Sequence, residues 1–94
     1  MTGFRVVWPP PFRDQILQFM TRAASGTGRE MAALNRALTE IEEVLQRTPT
    51  VAGESRVGEL RILAVPPLSV LYRVDLVGRE VLVRGIRYSP GKRR

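Results

Sequence analysis

Phe4, Val6 and Trp8 alternate with Arg5 and Val7, and this period of two predicts a short first strand over Phe4–Trp8. Pro9, Pro10 and Pro11 stop it, because proline cannot donate to a sheet ladder and pushes the preceding residue out of the helical region. Pro11 also suits the first position of a helix, where a missing N–H costs nothing. From there the period changes. Phe12, Ile16, Phe19, Met20 and Ala23 recur at steps of three and four, which predicts a helix with one buried stripe running to about Ala24. Ser25 and Gly26 break it, and Thr27-Gly28-Arg29-Glu30 has the form of a capping box opening a second helix. The stripe of that helix is Met31, Leu34, Leu38, Ile41 and Leu45, widened by Ala37 and Val44, and Thr48-Pro49 ends it. So short a link makes the two helices an antiparallel hairpin.

After a polar turn over residues 49–55, the period returns to two. Three segments rich in β-branched and aromatic residues follow: "RVGELRILAV" (56–65), "LSVLYRVD" (68–75) and "EVLVRGIRY" (80–88). The breaks at Pro66-Pro67 and Val77-Gly78-Arg79 are too short for parallel crossovers, so the three strands form an antiparallel meander. The expected architecture is α+β: an N-terminal strand, a two-helix hairpin and a three-stranded meander, with the strands in one sheet. Residues 1–88 make a single domain, the size that one core supports. Residues 89–94 form a basic tail expected to be flexible.

Alternation assigns the faces. Leu60, Ile62 and Ala64, Val70, Tyr72 and Val74, and Val81, Val83 and Gly85 form an apolar floor for the helices, with Gly85 allowing close approach. The opposite face carries Arg61, Leu63 and Val65, then Ser69, Leu71, Arg73 and Asp75, then Leu82, Arg84, Ile86 and Tyr88. Cations among aliphatic side chains on an uncovered face suit a binding partner.

Charge sharpens that division. The chain has 94 residues and a formal net charge of +6. Residues 1–55 are neutral, whereas residues 56–94 hold Arg56, Arg61, Arg73, Arg79, Arg84, Arg87, Lys92, Arg93 and Arg94 against Glu59, Asp75 and Glu80. The whole excess lies on the meander and tail, where it would attract a polyanion or an acidic protein segment. One of the fifteen bases is Lys. Planar guanidinium groups favour bidentate contacts to phosphate or carboxylate, and high-GC coding bias accounts equally well for the preference.

The chemistry is restricted. Without cysteine or histidine there are no disulfides, thiolate nucleophiles, imidazole bases or ordinary zinc sites. No phosphate-binding loop, dinucleotide fingerprint or metal-spaced carboxylate cluster occurs, so no cofactor and no metal is expected. The helix carboxylates Glu40, Glu42 and Glu43 read as a solvated face. No apolar run is long enough to span a bilayer, and the stretch before Pro9 is too short for a secretory signal. Any catalysis must rely on Arg, Tyr and Ser, as in RNA cleavage at the substrate's own 2′-hydroxyl, where Arg stabilises the phosphorane-like charge and Tyr acts as acid or base.

The order strand, helical hairpin, then Leu45, Thr48-Pro49, Gly53-Glu54, Arg56, Gly58 and Leu60-Arg61, followed by "LSVLYRVD" and "VLVRGIRY", resembles the RelE/ParE superfamily of bacterial type II toxins, often called plasmid stabilisation proteins. The resemblance covers nearly the whole chain. It implies a small cytoplasmic toxin neutralised by an acidic antitoxin, and either a homo-oligomer or a toxin–antitoxin hetero-oligomer. RelE-like members cleave mRNA in the ribosomal A site, and ParE-like members poison DNA gyrase. The resemblance to the nucleases implies a catalytic set of Arg61, Arg73, Arg84, Arg87 and Tyr88. Ser69 stands where the nucleases carry an Arg before the Val70-Leu71-Tyr72-Arg73-Val74 core. A second basic position falls at or beside Tyr88, next to Arg87, and Arg61 only loosely matches the lysines of the first meander strand. Losing a phosphate-contacting cation costs on the order of 10²-fold in rate. The expectation is therefore a ParE-like toxin that binds its target, with ribosome-dependent mRNA cleavage as the alternative and a non-toxic interaction module as a third reading.

Overall fold

The computed structural model describes residues 3–90, so most of the tail expected to be flexible lies outside the described residues. Strand β1 covers Arg5–Val7, helix α1 Pro10–Ala24 and helix α2 Gly28–Arg47. Strands β2 (Glu54–Ser55), β3 (Leu60–Val65), β4 (Leu68–Asp75) and β5 (Glu80–Tyr88) follow. Among the described residues, no helix is long and apolar enough to cross a membrane.

The helix boundaries follow from local chemistry. Pro9 caps α1, and its carbonyl accepts from the Phe12 and Arg13 amides, so the helix starts one residue earlier than Pro11. The hydroxyl half of the predicted capping box forms: Thr27 Oγ1 accepts from the Glu30 amide at 3.2 Å. The Glu30 carboxylate lies over Gly26, where any Cβ would collide with it. At the far end of α2 the Gln46 carbonyl accepts from the Phe4 amide at 2.9 Å, tying the helix to the start of β1.

The sheet order is β1-β5-β4-β3-β2, with β1 parallel to β5 and every other pair antiparallel. The turn expected over residues 49–55 therefore ends in a fifth, two-residue strand, and the first meander strand begins at Leu60 instead of Arg56. Gly53 makes this return possible. Its φ of 71° is left-handed, and a Cβ there would strike the Ile62 carbonyl oxygen.

The hairpin covers one face. Leu34, Ala37, Ile41 and Leu45 of α2 and Ala23 of α1 meet Leu68, Val70, Tyr72, Val81, Val83 and Tyr88 in a single buried core. Full burial of a Leu, Ile or Val contributes roughly 1.5–3 kcal/mol, so these contacts dominate the stability of so short a chain. Glu42 is not the solvated group expected from the pattern. Half-buried, it accepts from Trp8 Nε1 at 3.1 Å and from Gln46 Nε2 at 2.9 Å, fastening α2 to the residue after β1.

Candidate functional site

The face away from the helices is open, and its composition depends on register. Leu60, Ile62 and Ala64 of β3 lie opposite Arg73, Leu71 and Ser69 of β4. These residues share the outer face, whereas Arg61, Leu63 and Val65 pair with Tyr72, Val70 and Leu68 on the helix side. The faces of β3 are thus the reverse of those assigned by alternation. Both sets are largely aliphatic, and Arg61 made the wrong set look solvent-facing.

A second correction comes from a β-bulge. Tyr72 pairs with Val83 and Leu71 with Gly85, leaving Arg84 as an extra residue in β5. Beyond it the alternation changes phase. Ile86 and Tyr88 turn to the core opposite Val70 and Leu68, while Gly85 and Arg87 turn outward opposite Leu71 and Ser69. Gly85 therefore does not sit beneath a helix, and Tyr88 does not belong to the open face.

Of the five candidate residues, the structure brings Arg73, Arg84 and Arg87 together on the exposed side of the β4–β5 ribbon. Ser69 and Arg73 are four residues apart on β4, and Arg87 pairs with Ser69, so Arg87 and Arg73 are separated by roughly 13 Å along the sheet. That span exceeds a single phosphate and suits an extended ligand. Arg73 lies 3.7 Å from Glu59, and Arg5 of the neighbouring β1 forms an ion pair with Glu80.

Arg61 and Tyr88 are placed elsewhere. Arg61 Nε and Nη2 both donate to the Ala52 carbonyl, at 3.3 and 3.1 Å, Nη2 also to the Gly53 carbonyl at 3.2 Å, and Nη1 to Ser55 Oγ at 3.1 Å. The Tyr72 hydroxyl lies 2.8 Å from the carbonyls of Pro49 and Ala52, with one proton to share between them. Burial pushes the Tyr72 hydroxyl above the ordinary tyrosine value, and the neighbouring Arg61 opposes that shift. Tyr88 packs its ring 5.4 Å from that of Phe19, with the Arg22 guanidinium 5.2 Å above it. Both are tied to structure: Arg61 and Tyr72 lock the 49–55 segment, and Tyr88 closes the α1 end of the core.

Alternation placed Leu71 and Ser69 on this face but missed Ile62 and Gly85. Ile62, Leu71 and Gly85 sit between the outer cations, with Ser69 and Arg87 beside them. Gly85, the single glycine of the segment 80–88, was a signal for a bulge, since an isolated glycine within a strand often marks one. Among the described residues no group of three or more His, Cys, Asp or Glu is arranged to hold a metal.

A five-stranded sheet with a helical hairpin on one face and an open, Arg-bearing face on the other defines the chain as an α+β protein with the fold implied by the RelE/ParE resemblance. No protein-family model matches it, and no curated protein matches its sequence. Among solved structures, a chain of the "Chromosomal ParDE TA system from P. aeruginosa" superposes with a TM-score of 0.73 at 20% sequence identity, over 95% of this chain and 99% of that one. The two share a fold from end to end.

Proposed function

We propose that this protein is the toxin component of a type II toxin–antitoxin system, acting by binding a macromolecular target and neutralised by an acidic antitoxin. The observation that carries this reading is the end-to-end likeness to a chain of a ParDE system, at a TM-score of 0.73. The open face is consistent with it. Arg73, Arg84 and Arg87 flank aliphatic side chains there, and Arg61 and Tyr88, which a nuclease mechanism would call on, are turned to the helix side. This favours capture of a target, with DNA gyrase as the target of a ParE-like protein, over phosphodiester cleavage. One observation supports the alternative of ribosome-dependent mRNA cleavage: Arg87 pairs with Ser69, bringing a cation next to the position where the nuclease pattern carries one.

Induction of the gene alone in a bacterial host tests the reading. The expected outcome is growth arrest with intact mRNA and gyrase-dependent DNA breaks. Messages cut within ribosomes would transfer the assignment to the nuclease, and unchanged growth would refute both.

A further inference from the structure

The outer face is not flat. The bulge turns Gly85 outward opposite Leu71, and the missing side chain leaves a hollow of about 330 Å³ lined by Ile62, Ser69, Leu71, Gly85, Ile86 and Arg87. A Cβ on Gly85 would meet Leu71 Cβ at 3.6 Å, an ordinary contact, and the backbone there is not left-handed. Glycine is therefore dispensable for the chain's own packing at this point, yet its lack of a side chain creates the hollow.

The chemistry of the hollow selects an occupant. Its floor is aliphatic and one wall is a guanidinium. Arg5 and Arg73 have carboxylate neighbours, whereas Arg84 and Arg87 have none within ion-pair distance among the described residues. A nucleobase would call for an aromatic platform, because single-stranded nucleic acid is held largely by stacking. All six aromatic residues, Phe4, Trp8, Phe12, Phe19, Tyr72 and Tyr88, instead belong to the core or pack against it. An aliphatic hollow beside two cations, on a chain of net charge +6, complements an apolar side chain flanked by carboxylates.

The geometry points to the Gly85 hollow as the anchor pocket for the antitoxin: one large apolar side chain of an acidic segment seats over Gly85 against the Leu71–Ile62 row, and its acidic neighbours pair with Arg84 and Arg87. This rests on the toxin–antitoxin reading and adds to it the place and chemistry of the contact.

The test uses the full-length chain and the product of the reading frame adjacent to its gene. Growth arrest by the chain, relieved by that product, checks the underlying reading; without it both fall. Given relief, calorimetric titration of the purified pair checks the hollow. Gly85→Leu, which fills it, should weaken binding by roughly 30-fold, the scale of a lost hot spot, while melting at the wild-type temperature. Arg87→Glu should also weaken binding. If Gly85→Leu melts early, Ser69→Phe fills the same space from β4 and is expected to weaken binding likewise. Wild-type affinity in a folded filling variant overturns the proposal. So does retained partner affinity with lost binding to a short oligoribonucleotide, which would give the hollow to RNA.

Discussion

Replacing Arg61 by Ala separates a structural guanidinium from a functional one. The side chain makes contacts at 3.1–3.3 Å to the carbonyls of Ala52 and Gly53 and to Ser55 Oγ. The two contacts to Ala52 act as one fork, and Ser55 is exposed, so about two interactions count. At roughly 1 kcal/mol net each, and with the partly buried alkyl stem adding about 1 kcal/mol, the loss comes to about 2–3 kcal/mol. A domain of this size shifts by roughly 4–8 °C per kcal/mol, so Tm should fall by roughly 8–24 °C. Arg61→Lys should recover only part of the loss, because the donors of an ammonium radiate from one nitrogen and do not span Ala52, Gly53 and Ser55 as the three nitrogens of the planar guanidinium do. Thermal denaturation followed by circular dichroism, with Arg84→Ala and Arg87→Ala as comparisons expected to melt like wild type, measures this directly. An Arg61→Ala protein that melts normally but no longer arrests growth would refute the reasoning and return Arg61 to the functional set.

Tyr72→Phe should cost about 1–3 kcal/mol by taking the hydroxyl donor from the buried Pro49 carbonyl, while the Ala52 carbonyl keeps its Arg61 donors. Because burial holds the Tyr72 hydroxyl above its unfolded value, the unfolded chain releases the proton first, and stability that is complete below about pH 10 declines as pH rises further. Denaturant titrations at pH 8 and pH 11 should show a smaller decline for Tyr72→Phe than for wild type, and equal declines would exclude Tyr72 as the source. Glu42→Ala should lower stability by about 1–2 kcal/mol and red-shift the emission of Trp8, the sole tryptophan, whose indole N–H loses its acceptor. Arg73→Ala and Arg84→Ala should relieve growth arrest more than Arg36→Ala on α2; equal relief would remove the open face from the function. Deleting Arg84, the extra residue, should leave thermal melting cooperative, since regular alternation then still places Ile86 and Tyr88 in the core and Gly85 and Arg87 outward; a non-cooperative melt would contradict this account of the bulge.

What could be read from the sequence divides along the same lines. The helices were legible because each has a single apolar stripe at helical spacing and definite punctuation: Thr27 and Glu30 at one start, three prolines at the other. The meander was legible as strands, since its short links allow little else. Its faces were not. In β3 the sets Leu60-Ile62-Ala64 and Arg61-Leu63-Val65 are both apolar enough to be buried, so phase was decided by the assumption that Arg faces water. That assumption fails where backbone carbonyls wait at the end of the side chain, and here they belong to a turn nine residues earlier, which a local pattern cannot show. In β5 a bulge changes the phase in mid-strand, and periodicity is blind to a single inserted residue.

The bulge also explains how one strand serves two faces. Val81 and Val83 must face α1 and α2, and so must Tyr88, which closes the core at the Phe19 end. Unbroken alternation from Val81 would bring Gly85 and Arg87 inward, opening a void and burying a cation without a partner, and an unpaired buried charge is far costlier than one irregular pairing. Leaving Arg84 out of the pairing as a bulge keeps both ends of β5 in the core and moves Gly85 and Arg87 to the open face. The same logic sorts the arginines. The donors of Arg61 are committed to its own backbone, whereas no carboxylate among the described residues claims Arg84 or Arg87. The basic excess of the chain is therefore a poor map of its binding surface. The better map is the set of guanidinium groups whose donors the fold has left to a partner, and on this face those flank the hollow at Gly85.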